Sequence, residues 1–356
     1  TDKYRIPWGE AVNFDDKHNE GVRNFFIENA IHWFENYHID ALRLDAIHAI
    51  FDFSAKPFLQ ELAETVDGYS DHKRRKHYLI AETNQNDIRI ISERNSGGYG
   101  LHTQWSDDFH HSLHALLTGE NDGYYQDFGR VRDLAKAYDE GFVYDWEYSH
   151  YRKKRHGSSS IGISSERFIV SSQTHDQTGN RLFGDRMSTL ISFEAQKLAA
   201  GAVLLSPYVP MLFMGEEYGE TNPFLYFISH SDKNIIDAVR EGRKRDFKAF
   251  DWDEEPLDPQ DPATFKKSKI HWEKRNTEPG NTLLRFYAKL IQLRKDLFGS
   301  AKRGTMKSVA NDEKRILTVY RKINDSEVFF AINFNDKDLA YSPNLLSSSW
   351  EKTLDS

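Results

Sequence analysis

Cysteine is absent from all 356 residues. That excludes disulfides, thiolate metal sites and a cysteine nucleophile together, and it leaves the redox compartment open. Long apolar runs are missing too. No stretch approaches the roughly 18 residues of a membrane span, so no membrane partner is expected. Positive charge is also in deficit: 47 Lys and Arg against 55 Asp and Glu give a formal net charge of −8. A broad nucleic-acid surface needs a basic domain, so no nucleic-acid role is expected. No signal-peptide pattern, internal repeat or low-complexity tract is visible by inspection. The chain starts at Thr1 and opens directly on Tyr4-Arg5-Ile6-Pro7-Trp8-Gly9, which reads as a cut end. Aromatic residues, by contrast, are plentiful: 24 Phe, 17 Tyr and 7 Trp make up 13% of the chain. The 38% hydrophobic content is enough for a sizeable core. At about 150 residues per domain, the length suggests two domains or one large one.

Periodicity gives an α/β pattern. Val22, Phe26, Ala30, Trp33 and Tyr37 have the spacing of a helical stripe. Residues 39–45 read as a strand, 55–66 as a helix, 72–77 as a charged loop and Tyr78-Leu79-Ile80-Ala81 as a second strand. Strand, helix, strand is the rhythm of a parallel sheet. Further strands are expected at 101–105, 168–172 and 209–214, and helices at 107–117, 188–205 and 283–297. The stretch 124–151 is aromatic and irregular or helical. The basic runs at 72–77, 152–156 and 240–245 read as solvated loops, and Asp, Glu and Pro crowd a loop at 251–262. Behind a boundary near residue 300, the runs 315–322 and 327–333 flank Asn324-Asp325, a hairpin-type turn.

Three acids follow strand-like runs: Asp45, Glu82 and Asp176. Taken singly, each reads equally as a helix cap or a loop acid. Their neighbours add information. Arg43 lies two residues before Asp45, so on a strand both point to one face, and the cation favours the ionised carboxylate. Glu82 ends a buried apolar run and has no adjacent cation in sequence, which suits a proton donor. Asp176 sits in Thr174-His175-Asp176-Gln177-Thr178-Gly179-Asn180-Arg181, a dense set of donors and acceptors.

Ala41-Leu42-Arg43-Leu44-Asp45-Ala46-Ile47-His48, Ile80-Ala81-Glu82 and His175-Asp176 resemble, in order and spacing, three signature regions of the alpha-amylase superfamily of glycoside hydrolases. The resemblance covers most of the chain. Four segments are most similar to the branch of that superfamily that releases trehalose from malto-oligosyl-trehaloses: 7–14, 104–111, 175–181 and Met214-Gly215-Glu216-Glu217-Tyr218. Asp107-Asp108-Phe109-His110-His111 is the most distinctive part. Glycogen branching enzymes share the general pattern.

The resemblance implies a (β/α)8 TIM barrel over residues 1–300 and a small all-β domain over 301–356. It also implies a nucleophile at Asp45, an acid/base at Glu82 and a transition-state stabiliser at Asp176. Substrate contacts are implied at Arg43, His48, Trp105, Asp107, Asp108, Phe109, His110, His111, His175, Gln177, Asn180 and Arg181. Several of these keep a second reading. Trp8 and Trp105 stack on sugars or simply pack; Arg181 lines the site or pairs at a helix start; Asp107 or Asp108 caps a helix. Glu216 and Glu217 reach the rim or are structural. A metal at 107–111 is set aside, because adjacent residues rarely converge on one ion, and no cofactor is expected.

The expected reaction is retaining cleavage of the α-1,4 bond next to the trehalose end of a malto-oligosaccharide-type substrate, in the cytoplasm, with the two carboxyl groups about 5–5.5 Å apart. The alternatives are branching or general α-glucan hydrolysis, and an inactive carbohydrate-binding protein on the same fold. A further signature region, which the superfamily places after its third strand, is not found before Val22. Only the fourth to eighth barrel strands are therefore expected here, the β domain is expected to be clipped, and the isolated piece is expected to be poorly soluble and inactive.

Overall fold

The first long helix, Glu20–Tyr37, buries Arg23, Ala30 and Phe34, while Phe26, Trp33 and Tyr37 from the expected stripe stay exposed. The buried face is thus turned by one residue. An ion-pair network sets it: Arg23 binds Asp52 at 2.7 Å and Glu61 at 2.7 Å, and also the carbonyls of Phe14 and Lys56. A guanidinium with four acceptors can be buried where a lone charge cannot.

The computed structural model describes residues 3–6, 9–247, 256–298, 305–323, 326–342 and 350–355. Trp8, the boundary expected near residue 300 and the turn Asn324-Asp325 lie outside the described residues. Contacts divide the chain into two units, 1–107 with 140–169 and 108–139 with 170–356.

In the first unit, the strands Ala41–Leu44, Tyr78–Ala81, Thr103–Trp105 and Phe168–Val170 pair in parallel, in chain order. The helix Phe58–Lys73 connects the first two, burying Phe58, Leu59, Leu62, Ala63, Val66 and Ser70. Asp52 accepts from the Phe58 amide at 2.5 Å and so caps its start. The helix runs through His72 and Lys73, which were expected in a loop. Basic side chains in a last turn favour continuation, because they meet the negative end of the helix dipole. A hairpin, Asp145–Ser149 with Lys154–Gly157, stands where irregular chain and a polar loop were expected. Its Gly157 adopts φ +80°, and a Cβ there would fall 2.1 Å from the Tyr144 carbonyl oxygen.

In the second unit, the Met211 amide donates to the Val170 carbonyl at 2.8 Å, next to the strand Val209–Pro210. That strand is shorter than the expected 209–214, in keeping with a proline that has no N–H to give. The apolar helix begins at Phe193, not 188, because Ser192 caps it by accepting from the Ala195 amide. It packs on the helix Gly280–Phe298 through Ala200, Leu204, Leu283, Tyr287 and Leu290. The run 240–245 belongs to a helix, Lys233–Phe247, held by Asp237 pairing with both Lys233 and Arg240. Thr305–Asn311, Ile316–Ile323 and Ser326–Asn333 form a three-stranded antiparallel sheet, the small β element expected at this end. The Ser308 amide donates to Asp139 and Arg315 donates to the Leu116 carbonyl. Among the described residues, no helix is long and apolar enough to cross a membrane.

Candidate active site

The register of the first two strands pairs Leu44 with Ala81, so the next residues on each, Asp45 and Glu82, leave the sheet side by side. Backbone bonds continue the ladder: the Glu82 amide donates to the Leu44 carbonyl at 3.0 Å, and the Ile47 amide to the Glu82 carbonyl at 3.2 Å. Arg43 serves both acids. Its Nη1 lies 2.7 Å from Asp45 Oδ1 and its Nη2 lies 3.7 Å from Glu82 Oε2. Glu82 has no adjacent cation in sequence, but the parallel register carries Arg43 across from the neighbouring strand. Asp45 is 76% exposed, whereas Glu82 is 18% exposed. The Ala46 amide also donates to Glu82 Oε2, at 2.6 Å.

Trp105 is buried, with the Arg43 guanidinium 4.3 Å above its ring. That contact is a cation–π packing of the kind that steadies a buried ring. His48 lies exposed on the turn Ile47–Ala49 that follows Asp45. Asp107 begins the helix Asp107–Thr118.

The other expected residues lie in the second unit. Thr174 accepts from the Asp176 amide at 3.2 Å and caps the short helix His175–Gly179; its hydroxyl also donates to Gln177. His175 Nε2 lies 3.3 Å from Asp176 Oδ1, and both side chains are half exposed. Asn180 accepts from Arg243 at 3.0 Å. Arg181 forks onto Glu120 at 2.9 and 2.8 Å, the pairing role kept open above. Burial pushes the Glu120 carboxyl up, but bonds from His114 and Arg181 outweigh it and hold it at about 2.

Asp108, Phe109, His110 and His111 are all buried. Phe109 packs on Tyr138 and Tyr208, and His111 stacks on Tyr124 at 4.8 Å. His110 donates from Nδ1 to the Ser172 carbonyl at 2.8 Å, and Nε2 accepts from Tyr125 at 3.1 Å. Burial, with His114 and His111 close by, lowers its pKa well below the usual range. A neutral imidazole with this tautomer meets both partners. In this structure Phe109 and His110 thus meet protein partners on these sides.

Sequence reasoning missed Glu120, whose Thr118-Gly119-Glu120 setting carries no strand or apolar signal, and Arg243, hidden in a basic run. Among the described residues, no group of three or more His, Asp or Glu is arranged to hold a metal.

The alpha-amylase catalytic domain matches residues 13–300. Malto-oligosyltrehalose trehalohydrolase of Saccharolobus solfataricus is 45% identical over 83% of this chain and 50% of its own length. The enzyme of the same name from Arthrobacter ramosus is 43% identical over 82% of this chain and 51% of its own. The chain thus spans about half the length of the curated relatives it matches. A crystal structure of a Salmonella typhimurium protein assigned as an alpha amylase superposes with a TM-score of 0.85 at 34% identity. That match covers 96% of this chain and 59% of the other. These likenesses make the fold TIM-barrel-like α/β.

Proposed function

Since the chain belongs to the alpha-amylase family, we propose that the protein is a retaining glycoside hydrolase that cuts the α-1,4 bond next to the trehalose end of a malto-oligosyltrehalose and releases trehalose. The single observation that carries this reading is Arg43 bridging Asp45 and Glu82 at adjacent strand ends. The names of the relatives supply the substrate class.

In the proposed reaction, Asp45 attacks the anomeric carbon as Glu82 protonates the leaving oxygen; Glu82 then takes a proton from the water that breaks the glycosyl–Asp45 bond. Among the described residues, both polar contacts to the Glu82 carboxylate fall on Oε2. Asp176, with His175 and Gln177 beside it, binds sugar hydroxyls where those bonds tighten in the transition state. His48 and Asp107 and, in the second unit, Asn180 and Arg181 are further proposed substrate contacts. Trp105 and, in the second unit, Asp108, Phe109, His110 and His111 are proposed to serve substrate binding, as the resemblance implies.

The proposal also keeps residues 1–300 as the catalytic domain and 301–356 as the β domain, with a cytoplasmic location. It reads the parallel strands as the later ones of an eight-stranded barrel, supported by their chain order. The test is to incubate the full-length protein with maltopentaose and with its trehalose-ended counterpart, and to measure free trehalose. Attack on the plain oligosaccharide at an equal rate overturns the trehalohydrolase reading.

A further inference from the structure

Gly215 adopts φ +89°, and a Cβ there would lie 2.7 Å from the Cβ of Glu220. The tight turn leads directly into Glu216, which is only 6% exposed. Among the described residues no lysine or arginine lies within ion-pairing distance of that carboxylate. Neutral donors hold it instead. Oε2 accepts from Ser172 Oγ at 3.2 Å and Gln173 Nε2 at 3.3 Å, and Oε1 accepts from Tyr287 at 3.5 Å. A buried acid with no cation is costly, and a glutamine or an apolar side chain would fill the space without that desolvation.

The identity of the donors gives the acid a purpose. Ser172 and Gln173 immediately precede Thr174-His175-Asp176, and each is gripped a second time. The Ser172 carbonyl accepts from His110 at 2.8 Å, and Gln173 Oε1 accepts from the Met187 amide at 3.1 Å. We propose that Glu216 is a positioning residue: by holding Ser172 and Gln173 it fixes the segment that presents His175 and Asp176. This rests on the part given to Asp176 under the proposed function.

An ionised carboxylate only accepts, and so matches three donors at once. Protonation adds a hydrogen that must find an acceptor, so one of the three bonds has to reverse. Burial pushes the Glu216 carboxyl up to about 7, which puts this change near neutrality. The surrounding ionisable groups are Glu217, whose charge pushes the same way, Tyr287, kept neutral by burial, and Arg186 at longer range. Behind Ser172 stands the neutral His110.

The experiment uses the full-length protein. Glu216→Gln puts an NH2 group where a donor needs an acceptor. At about pH 8 the amides of 172–176 are expected to exchange about tenfold faster than in the parent. Turnover is expected to fall about tenfold in kcat, with KM within about twofold. The parent's change in kcat near pH 7 is expected to be missing from the variant. Ser172→Ala, which removes one donor and keeps the acid, should speed exchange over the same amides while melting close to the parent. Unchanged exchange at 172–176 in both variants overturns the proposal. A parent that turns over no α-glucan overturns the functional reading instead, and exchange still decides the positioning role.

Discussion

The Ala46 amide donates to Oε2 of Glu82 at 2.6 Å, and Ala46 reaches that position only by adopting φ +43°. A left-handed alanine costs roughly 1–2 kcal/mol. The strain sits between the two strand-end acids and aims a donor at one of them, which is where stored backbone strain tends to be found.

Ala46→Gly therefore keeps the N–H and relieves the strain, offset by a more flexible unfolded chain. Unfolding free energy should stay within about 1 kcal/mol of the parent, with turnover retained. Ala46→Pro removes the donor and cannot adopt a positive φ. It should lower the melting temperature and abolish turnover of the full-length protein. Equal behaviour of the two variants would show that the amide is not needed.

Asp45→Asn tests the nucleophile. The side chain is 76% exposed, so its replacement buries nothing new, and stability should change by no more than about 0.5 kcal/mol. Turnover should vanish, because an amide does not form the glycosyl ester. Activity of the complete enzyme within about tenfold of the parent would remove Asp45 from that role.

Glu82→Gln keeps an oxygen that can accept from Ala46 and loses the proton. Glycosylation should be severely slowed for substrates that need an acid, less so for one with an activated leaving group. Added azide should speed release of the sugar from Asp45, giving a glycosyl azide detectable by mass spectrometry. Sugar binding without any such rescue would point to a different acid.

These acids were legible because each ends a short apolar run, and apolar runs in alternation with helices mark parallel strands. The pairing of Leu44 with Ala81, which sets Asp45 beside Glu82, was not legible, since register depends on long-range contacts. The helix Glu20–Tyr37 was found, but its inward face was misjudged. Its core contact is Arg23 on Asp52 and Glu61, and a hydrophobic pattern is blind to ion pairs. The helix Lys233–Phe247 escaped for the same reason, as its ordered charges resemble a solvated loop. Family resemblance singles out 107–111, but not that His110 would meet Tyr125 or that Phe109 would pack on Tyr138 and Tyr208. Burial at that distance in sequence is a tertiary property.

Glu216 makes stability depend on pH in a direction opposite to that of a salt-bridged acid. Its folded value is raised by burial from 4.5 to about 7, so between those values the native state binds a proton that the unfolded chain has released. The contribution is fully present below about pH 4.5 and is lost as pH rises through about 7, by about 3 kcal/mol in all. Glutamine at the same position has no proton to exchange. The difference in unfolding free energy between parent and Glu216→Gln, measured by denaturant titration of the full-length protein, should therefore shift against the parent by about 3 kcal/mol from about pH 4.5 to about pH 8. Comparing the two proteins at each pH cancels the titration of every other group they share. A difference that stays constant across that range would mean that Glu216 keeps an ordinary carboxyl in the fold, and would remove its change of state from the account of the segment it holds.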